Sequence, residues 1–248
     1  MHSLIKVSLM IGLAWGVIGC TTTSSQEAQV EEPVAESFQA RGSVRPGIND
    51  AFTDAGVNVA TWAERWTGES REVYNSRLEI LSALNLEPGD RIADIGAGTG
   101  LYVKLFAETV GDEGGVFAVD ISQPFLEFIA ENAKKDGLDN VSVVLGEDRT
   151  SNLPDDSVDI VFHSDAYHHF EYPEDMIRDL ARVLVDGGEM YVLDFERIEG
   201  VTSQRLLDHV RASKDVVTRE IERSGFILVE ELKVPGLVEN YLLRFRRE

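Results

Sequence analysis

The sequence predicts an α/β fold: a doubly wound, mostly parallel seven-stranded sheet with an antiparallel last strand. Three observations predict it. Ile92-Ala93-Asp94-Ile95-Gly96-Ala97-Gly98-Thr99-Gly100 is a short apolar strand running into a glycine-rich turn. Beyond it, short apolar strand-like runs alternate with stretches whose apolar residues recur at helical spacing. Such alternation places parallel strands between helices on both faces. The final two strand-like runs are joined by a short segment containing Pro235 and Gly236, too short for a helical crossover, so they pair antiparallel.

Val59, Trp62, Ala63 and Trp66 recur at helical spacing, as do Val73, Tyr74, Leu78, Leu81 and Leu84, giving two helices ahead of the glycine turn. The first strand is Arg91–Ile95, followed by a helix over Gly100–Val110 and a second strand, Val116–Asp120. Ser122 is placed to cap a helix carrying Phe125, Phe128 and Ile129, which Gly137 ends. Val141–Leu145 and Val158–Phe162 are the third and fourth strands. Pro173 opens a helix with Met176, Ile177, Leu180 and Leu184 on one face. The Gly187-Gly188 turn leads into the fifth strand, Met190–Phe195. One long helix is expected from Ser203 to Ser224, ended by Gly225, and Phe226–Leu232 and Tyr241–Phe245 close the chain.

A length of 248 residues suffices for one α/β domain plus a non-globular segment. The net charge of −21 repels polyanions, and Arg244, Arg246 and Arg247 form the only basic cluster, so nucleic acid is not expected as a partner. Residues 1–19 read as a signal peptide: Met1–Lys6 is weakly basic and Val7–Ile18 is apolar. About twelve apolar residues match a signal's apolar region and fall short of the roughly 20 that span a bilayer. Val17-Ile18-Gly19-Cys20 resembles the lipobox of bacterial lipoproteins. That resemblance implies cleavage before Cys20, lipidation of its thiol, and a chain anchored to a membrane of the cell envelope. With Thr21 rather than Asp after it, the outer membrane on its periplasmic side is implied if the source has two membranes. Cys20 is the only cysteine, so the acylated chain carries no thiol and no disulfide. Residues 20–45 are polar and read as a disordered tether, leaving 46–248 as the domain.

A glycine turn lets a ligand approach backbone where a Cβ would clash, and sets helix-opening N–H groups beside it. A dinucleotide site spaces its glycines G-x-G-x-x-G; here the third comes one residue early and Leu101 follows. Together with Asp94, that departure points away from a pyrophosphate cofactor. Asp120, ending the second strand, is placed to accept from ribose hydroxyls, the alternative being a helix cap ahead of Ser122. Asp148, in Gly146-Glu147-Asp148-Arg149 after the third strand, is placed to accept from an exocyclic amine.

Asp94-x-Gly96-x-Gly98-x-Gly100, Asp120 and Asp148 are continued by Leu153-Pro154, Asp159-Ile160-Val161-Phe162 and Leu184-Val185-Asp186-Gly187-Gly188. In this order they resemble the class I S-adenosylmethionine-dependent methyltransferases, over roughly Leu78 to Phe245. Asp186 departs from the pattern, which often has Pro there. The resemblance implies a Rossmann-like fold, S-adenosyl-L-methionine as cofactor, and methyl transfer to a small-molecule or lipid-like acceptor. It implies that Asp94, Gly96, Gly98 and Gly100 face the methionine moiety, that Asp120 and Ile121 line the ribose, and that Asp148 with Arg149 meets the adenine edge. The chemistry agrees. A sulfonium and an ammonium favour an acidic pocket, and a ligand without phosphates needs no P-loop lysine. Methyl transfer is an in-line displacement, so alignment at ~3–3.5 Å supplies much of the catalysis.

The acceptor side is expected after the fourth strand, at Ser164-Asp165-Ala166-Tyr167-His168-His169-Phe170. His168 or His169 is placed to deprotonate an acceptor hydroxyl or amine, the competing reading being a packed structural histidine. Asp165 is a further catalytic candidate, binding the acceptor or the cofactor's amine. Tyr167 joins it as a substrate-binding candidate. Asp194-Phe195-Glu196-Arg197 places charges at the same rim, and Glu196, Arg197 and His209 are expected to bind substrate. A metal set of Asp165, His168, His169 and Glu171 matches no structural zinc spacing, so no metal is expected. Trp62, Trp66 and Tyr74 read as an aromatic lid or as core packing. Two other function classes stay open. One is a non-catalytic envelope lipoprotein that binds an adenosyl ligand on the same fold, suggested because S-adenosylmethionine is made in the cytosol. The other is a nicotinamide oxidoreductase, which the glycine spacing disfavours.

Overall fold

The computed structural model describes residues 42–54, 56–68, 71–200 and 202–248. The signal peptide, Cys20 and all but the last residues of the tether lie outside them. Of the tether's end, Ser43 Oγ donates to Glu171 Oε2 at 2.6 Å, and the Arg45 guanidinium donates to the carbonyls of His209 and Asp208 at 2.5 and 2.7 Å. Among the described residues no helix is long and apolar enough to cross a membrane.

Four short helices come first: α1 (Asp50–Thr53), α2 (Val59–Trp66), α3 (Glu72–Asn75) and α4 (Arg77–Ala83). Then β1 (Arg91–Ile95), α5 (Val103–Val110), β2 (Gly115–Asp120), α6 (Gln123–Asp136), β3 (Val141–Leu145) and β4 (Val158–Ser164) alternate. A 3₁₀ turn, Tyr167–His169, precedes α7 (Pro173–Val183) and β5 (Leu184–Phe195). The chain ends with α8 (Gln204–His209), α9 (Lys214–Glu222), β6 (Phe226–Leu232) and β7 (Asn240–Arg247).

The strands form one seven-stranded sheet in the order β3-β2-β1-β4-β5-β7-β6. The pairings from β3 to β5 are parallel, and β7 runs antiparallel to both β5 and β6, as the short Pro235-Gly236 connection requires. This is the Rossmann-like doubly wound sheet that the sequence predicts. The period-two alternation of β1 divides the core: Ile92 belongs to one apolar cluster with Tyr102, Phe106 and Phe162, while Ala93 and Ile95 belong to the other with Ile177, Leu180 and Ile221. Burying each large apolar side chain on either face stabilises the fold by roughly 1.5–3 kcal/mol. Strand order reverses at β1, whose neighbours are β2 and β4, and a ligand crevice opens at the carboxyl ends there.

Three elements differ from the sequence reading. The second expected helix is two, broken at buried Ser76, and Leu78 on α4 is 56% exposed. The carboxylate of Glu72 accepts the backbone N–H groups of Val238, Glu239 and Asn240 and so fixes α3 against the start of β7. The expected helix from Ser203 to Ser224 also divides, because Val210 and Ala212 are both buried and residues two apart share a face only in extended chain. Arg197 satisfies the carbonyls of Leu207 and Val210 left over at the end of α8. Finally, β5 begins at Leu184, and Gly187-Gly188 lies within the strand where its register against β4 breaks, not in a turn before it.

Candidate active site

The end of β1 delivers the glycine turn. The amides of Gly96 and Ala97 donate to Val119 O at 2.8 and 3.0 Å, which turns the chain across the end of β2. Gly96 has φ +74, and a Cβ there would stand 2.6 Å from the Ala166 Cβ. Gly98 has φ +57, and a Cβ there would stand 2.8 Å from the Trp66 ring. Only glycine satisfies both the positive φ and the close approach. Asp120, at the end of β2, accepts the Gly98 N–H on Oδ2 and the Ser122 N–H on Oδ1, each at 2.8 Å. Ser122 holds the N-cap position of α6, but its side chain accepts no capping bond.

These residues line a cavity of about 770 Å³. Asp94, Gly96, Gly98, Asp120, Ile121 and Asp148 line it, together with Asp165, His168, His169 and His209. Burial pushes Asp94 up to about 7, with the Asp120 charge adding to the rise. Burial pushes Asp120 up to about 6, against the amides of Ser122, Gly98 and Ile121. Asp148 is raised as well, mainly by burial and by Glu171. A pocket that holds acids at such a cost favours a cationic ligand, which restores the ionised form.

On the other wall, Asp165 has φ +51 and follows β4 directly. It is paired with Arg71 and accepts from Asn240 Nδ2 at 2.7 Å. Burial pushes it up to about 6, opposed by Arg71 and reinforced by Asp194. His168, in the 3₁₀ turn, is 2% exposed and meets Asp194 Oδ1 through Nδ1 at 2.7 Å. The rings of His168, His169 and His209 lie together, with centroids 4.4, 5.0 and 5.1 Å apart. Burial, then the neighbouring His168, His209 and Arg45 charges, lower His169 to about 2. Phe52, Trp62 and Trp66 form an aromatic wall: Phe52 meets Trp62 at 5.0 Å and His169 at 5.3 Å, and Trp62 meets Trp66 at 5.1 Å.

Other expected site residues stand elsewhere. Gly100 is not in the cavity lining; a Cβ there would meet Ile129 of α6 at 2.9 Å, so its glycine serves helix packing. Arg149 lines a neighbouring recess with Asp148, Ile121 and Tyr172, not the main cavity, paired with Asp175 and lying 3.4 Å over the Tyr172 ring. Tyr167 is buried and donates to Glu220 Oε2 at 2.9 Å. Glu196 is paired with Lys214 at 2.7 Å, and Arg197 is committed to the α8 carbonyls. Tyr74 carries Arg77 over its ring at 4.4 Å rather than lining the cavity. The sequence reading missed Phe52, Arg71 and the role of Asp194 beneath His168. Only Asp194 had a signal, an acid at the carboxyl end of a strand.

The fold is that of solved methyltransferases, and the similarities below support S-adenosyl-L-methionine as the cofactor. Residues 93–192 match the family model described as "Methyltransferase domain". The chain is 30% identical over 172 residues to the ubiquinone/menaquinone biosynthesis C-methyltransferase UbiE of Ectopseudomonas mendocina, over 69% of this chain and 61% of that one. It is 30% identical over 125 residues to the uncharacterized methyltransferase YcgJ of Bacillus subtilis, over 50% of this chain and 48% of that one. It therefore spans between about half and three fifths of these relatives. The structure of a SAM dependent methyltransferase from Aquifex aeolicus shares the fold with a TM-score of 0.68 at 22% identity, over 77% of this chain and 99% of that one. The residues present fit the cofactor. Buried acids suit its two cationic groups, and Gly96 and Gly98 line the same cavity as those acids.

Proposed function

We propose that this protein is an S-adenosylmethionine-dependent methyltransferase acting on a small-molecule or lipid-like acceptor, tethered to an envelope membrane through lipidated Cys20. The observation that carries the reading is a single cavity lined at one end by the glycine turn and its acids and at the other by the histidine cluster. Asp94 and the turn at Gly96 and Gly98 would hold the methionine end of the cofactor, with Asp120 and Ile121 at the ribose and Asp148 at the adenine. The bound cofactor supplies an electrophilic methyl group on a sulfonium. The rest falls to the chain's own side chains. Asp165, fixed by Arg71 and Asn240, shapes the acceptor end, and His168, fixed by Asp194, presents a ring nitrogen to an acceptor hydroxyl or amine. Phe52, Trp62 and Trp66 exclude water from the acceptor end and offer faces to an apolar or aromatic group. That wall suits a lipid-like ring, and a relative named for C-methylation in quinone biosynthesis supports the same acceptor class.

Calorimetric titration with S-adenosylmethionine and its demethylated product tests the cofactor: both bind, and absence of binding at millimolar ligand sinks the enzymatic reading. Comparing methylated small molecules and lipids in envelope extracts with and without the protein tests the acceptor. Metabolic labelling with a lipid probe tests the anchor, with loss of label expected in Cys20→Ala.

A further inference from the structure

His168, His169 and His209 form a cluster of which the proposed methyl transfer uses His168 alone. One ring nitrogen from each lies within 4.8 Å of the others, and all three side chains line the cavity. They reach this point from two separate elements, the 3₁₀ turn after β4 and the last residue of α8. Packing alone gives a poor account of the cluster. The Nδ1 of His169 is buried with no hydrogen-bond partner among the described residues, which leaves a polar atom desolvated for nothing. Neutral imidazole is the form that ligates a metal.

Asp194 supplies the second, independent observation. Its carboxylate takes the His168 Nδ1 at 2.7 Å and the His168 amide at 3.0 Å, and both side chains are nearly fully buried. That leaves Nε2 as the free nitrogen. A carboxylate on the far nitrogen is the arrangement that orients a metal-bound imidazole and raises its basicity.

We propose that His168, His169 and His209 bind a divalent transition-metal ion of the zinc class, with Asp194 orienting His168 and the fourth coordination position open to the cavity. Three imidazoles suit zinc, copper or nickel rather than magnesium or calcium, which prefer oxygen. Zn–N bonds of ~2.0–2.1 Å in tetrahedral geometry set the nitrogens about 3.3 Å apart, so modest ring rotations complete the site. Three protein ligands and one open position mark a catalytic rather than a structural ion. With His168 Nε2 then a ligand, the ion takes its place in activating the acceptor, lowering the pKa of any hydroxyl or thiol that coordinates to it. The surrounding charges are balanced: Asp194 and Asp165 face the cluster from the sheet side, and Arg45 and Arg205 face it from the other. The set weighed from sequence, Asp165, His168, His169 and Glu171, lacks His209, which arrives from α8.

The test uses the untagged full-length chain in detergent, stripped with chelator and titrated with zinc and separately with cobalt. Expected are one ion per chain, a dissociation constant at or below about 1 µM, and a cobalt spectrum of tetrahedral type. His209→Ala weakens zinc by at least about tenfold while the metal-free melting temperature stays within about 2 °C. Asp194→Asn, which removes no ligand, weakens zinc by roughly 10–100-fold, a change that a packing role would not produce. Zinc binding weaker than about 100 µM overturns the proposal, as does tight binding that His209→Ala and His169→Gln both leave unchanged. If His209→Ala does not fold, the wild-type cobalt spectrum decides: an octahedral one overturns the assignment. Because the readout is metal affinity, it is independent of whether any methyl group is transferred.

Discussion

His168 and Asp194 are joined at 2.7 Å in a site from which water is nearly excluded, with their side chains 3% and 2% exposed. Asp194 also accepts the amides of His168 and Phe195, at 3.0 and 2.7 Å, so its position is set by the backbone of two elements. Asp194→Asn changes which imidazole nitrogen carries the proton without changing shape. The expected outcome is turnover reduced by at least about tenfold with affinity for S-adenosylmethionine within about twofold of wild type. Steady-state kinetics alongside calorimetry check it; equal losses of both would assign Asp194 to the cofactor end instead.

Asp94 carries a pH signature. Its folded-state pKa is raised to about 7 from an ordinary 3.8, so its stabilising contribution is complete below about pH 4 and is lost as pH rises through about 7. His163 and His209, both depressed to about 4 chiefly by burial, act oppositely: their contribution is present above pH 6.5 and is lost on acidification. The variant difference isolates the carboxylate. Asp94→Asn is expected to be more stable than wild type by at least about 1 kcal/mol at about pH 8 and equal to it near pH 4. Denaturant melts at the two pH values decide.

The same carboxylate predicts ligand affinity. A cationic cofactor binds the ionised form, so affinity for S-adenosylmethionine rises as pH increases through about 7 in wild type and stays flat there in Asp94→Asn. Calorimetric titration across that pH range reads it, and a flat wild-type profile would refute the assignment of Asp94 to the ligand.

Gly98 and Trp66 are sterically coupled. Gly98→Ala meets the indole at 2.8 Å and must hold φ +57 with a side chain. The expected destabilisation is about 1–2 kcal/mol from backbone strain, plus a steric part. Adding Trp66→Ala should remove only the steric part, so the double variant recovers incompletely. Full additivity of the two changes in denaturant melts would show that the ring does not press on the turn.

Arg71→Met strips Asp165 of its cation while leaving its bond from Asn240, and a buried unpaired carboxylate costs roughly 3 kcal/mol. Adding Asp165→Asn should restore much of that loss, because the uncompensated charge is gone. Thermal melts of the single and double variants give the coupling.

The sheet was legible in the sequence because parallel strands buried on both faces read as apolar runs, and because the Pro235-Gly236 connection admits only an antiparallel closure. Asp94, Gly96, Gly98, Asp120 and Asp148 were legible because turn chemistry is local: each sits within a few residues of a strand end. What stayed hidden was non-local. Nothing near Arg71 says that Asp165 is its partner, and nothing near His209 says that two further imidazoles await it. The long-helix expectation over Ser203–Ser224 failed for a related reason. Apolar periodicity continued through Val210 and Ala212, while burial of both called for extended chain. Likewise, nothing near Arg149 in the sequence says that Tyr172 and Asp175 hold its guanidinium, in a recess it shares with Asp148.

Asp120 ties the glycine turn to the start of α6 through Gly98 and Ser122. Its two bonds use part of the carboxylate's accepting capacity and leave the remainder for a ligand. The turn is thus shaped before anything arrives, and the ordering entropy of its backbone is lost during folding rather than at association. Cutting this tie without touching the ligand's own contacts should slow neither folding nor release as much as it disperses the turn. Affinity would then fall through entropy, with binding enthalpy little changed.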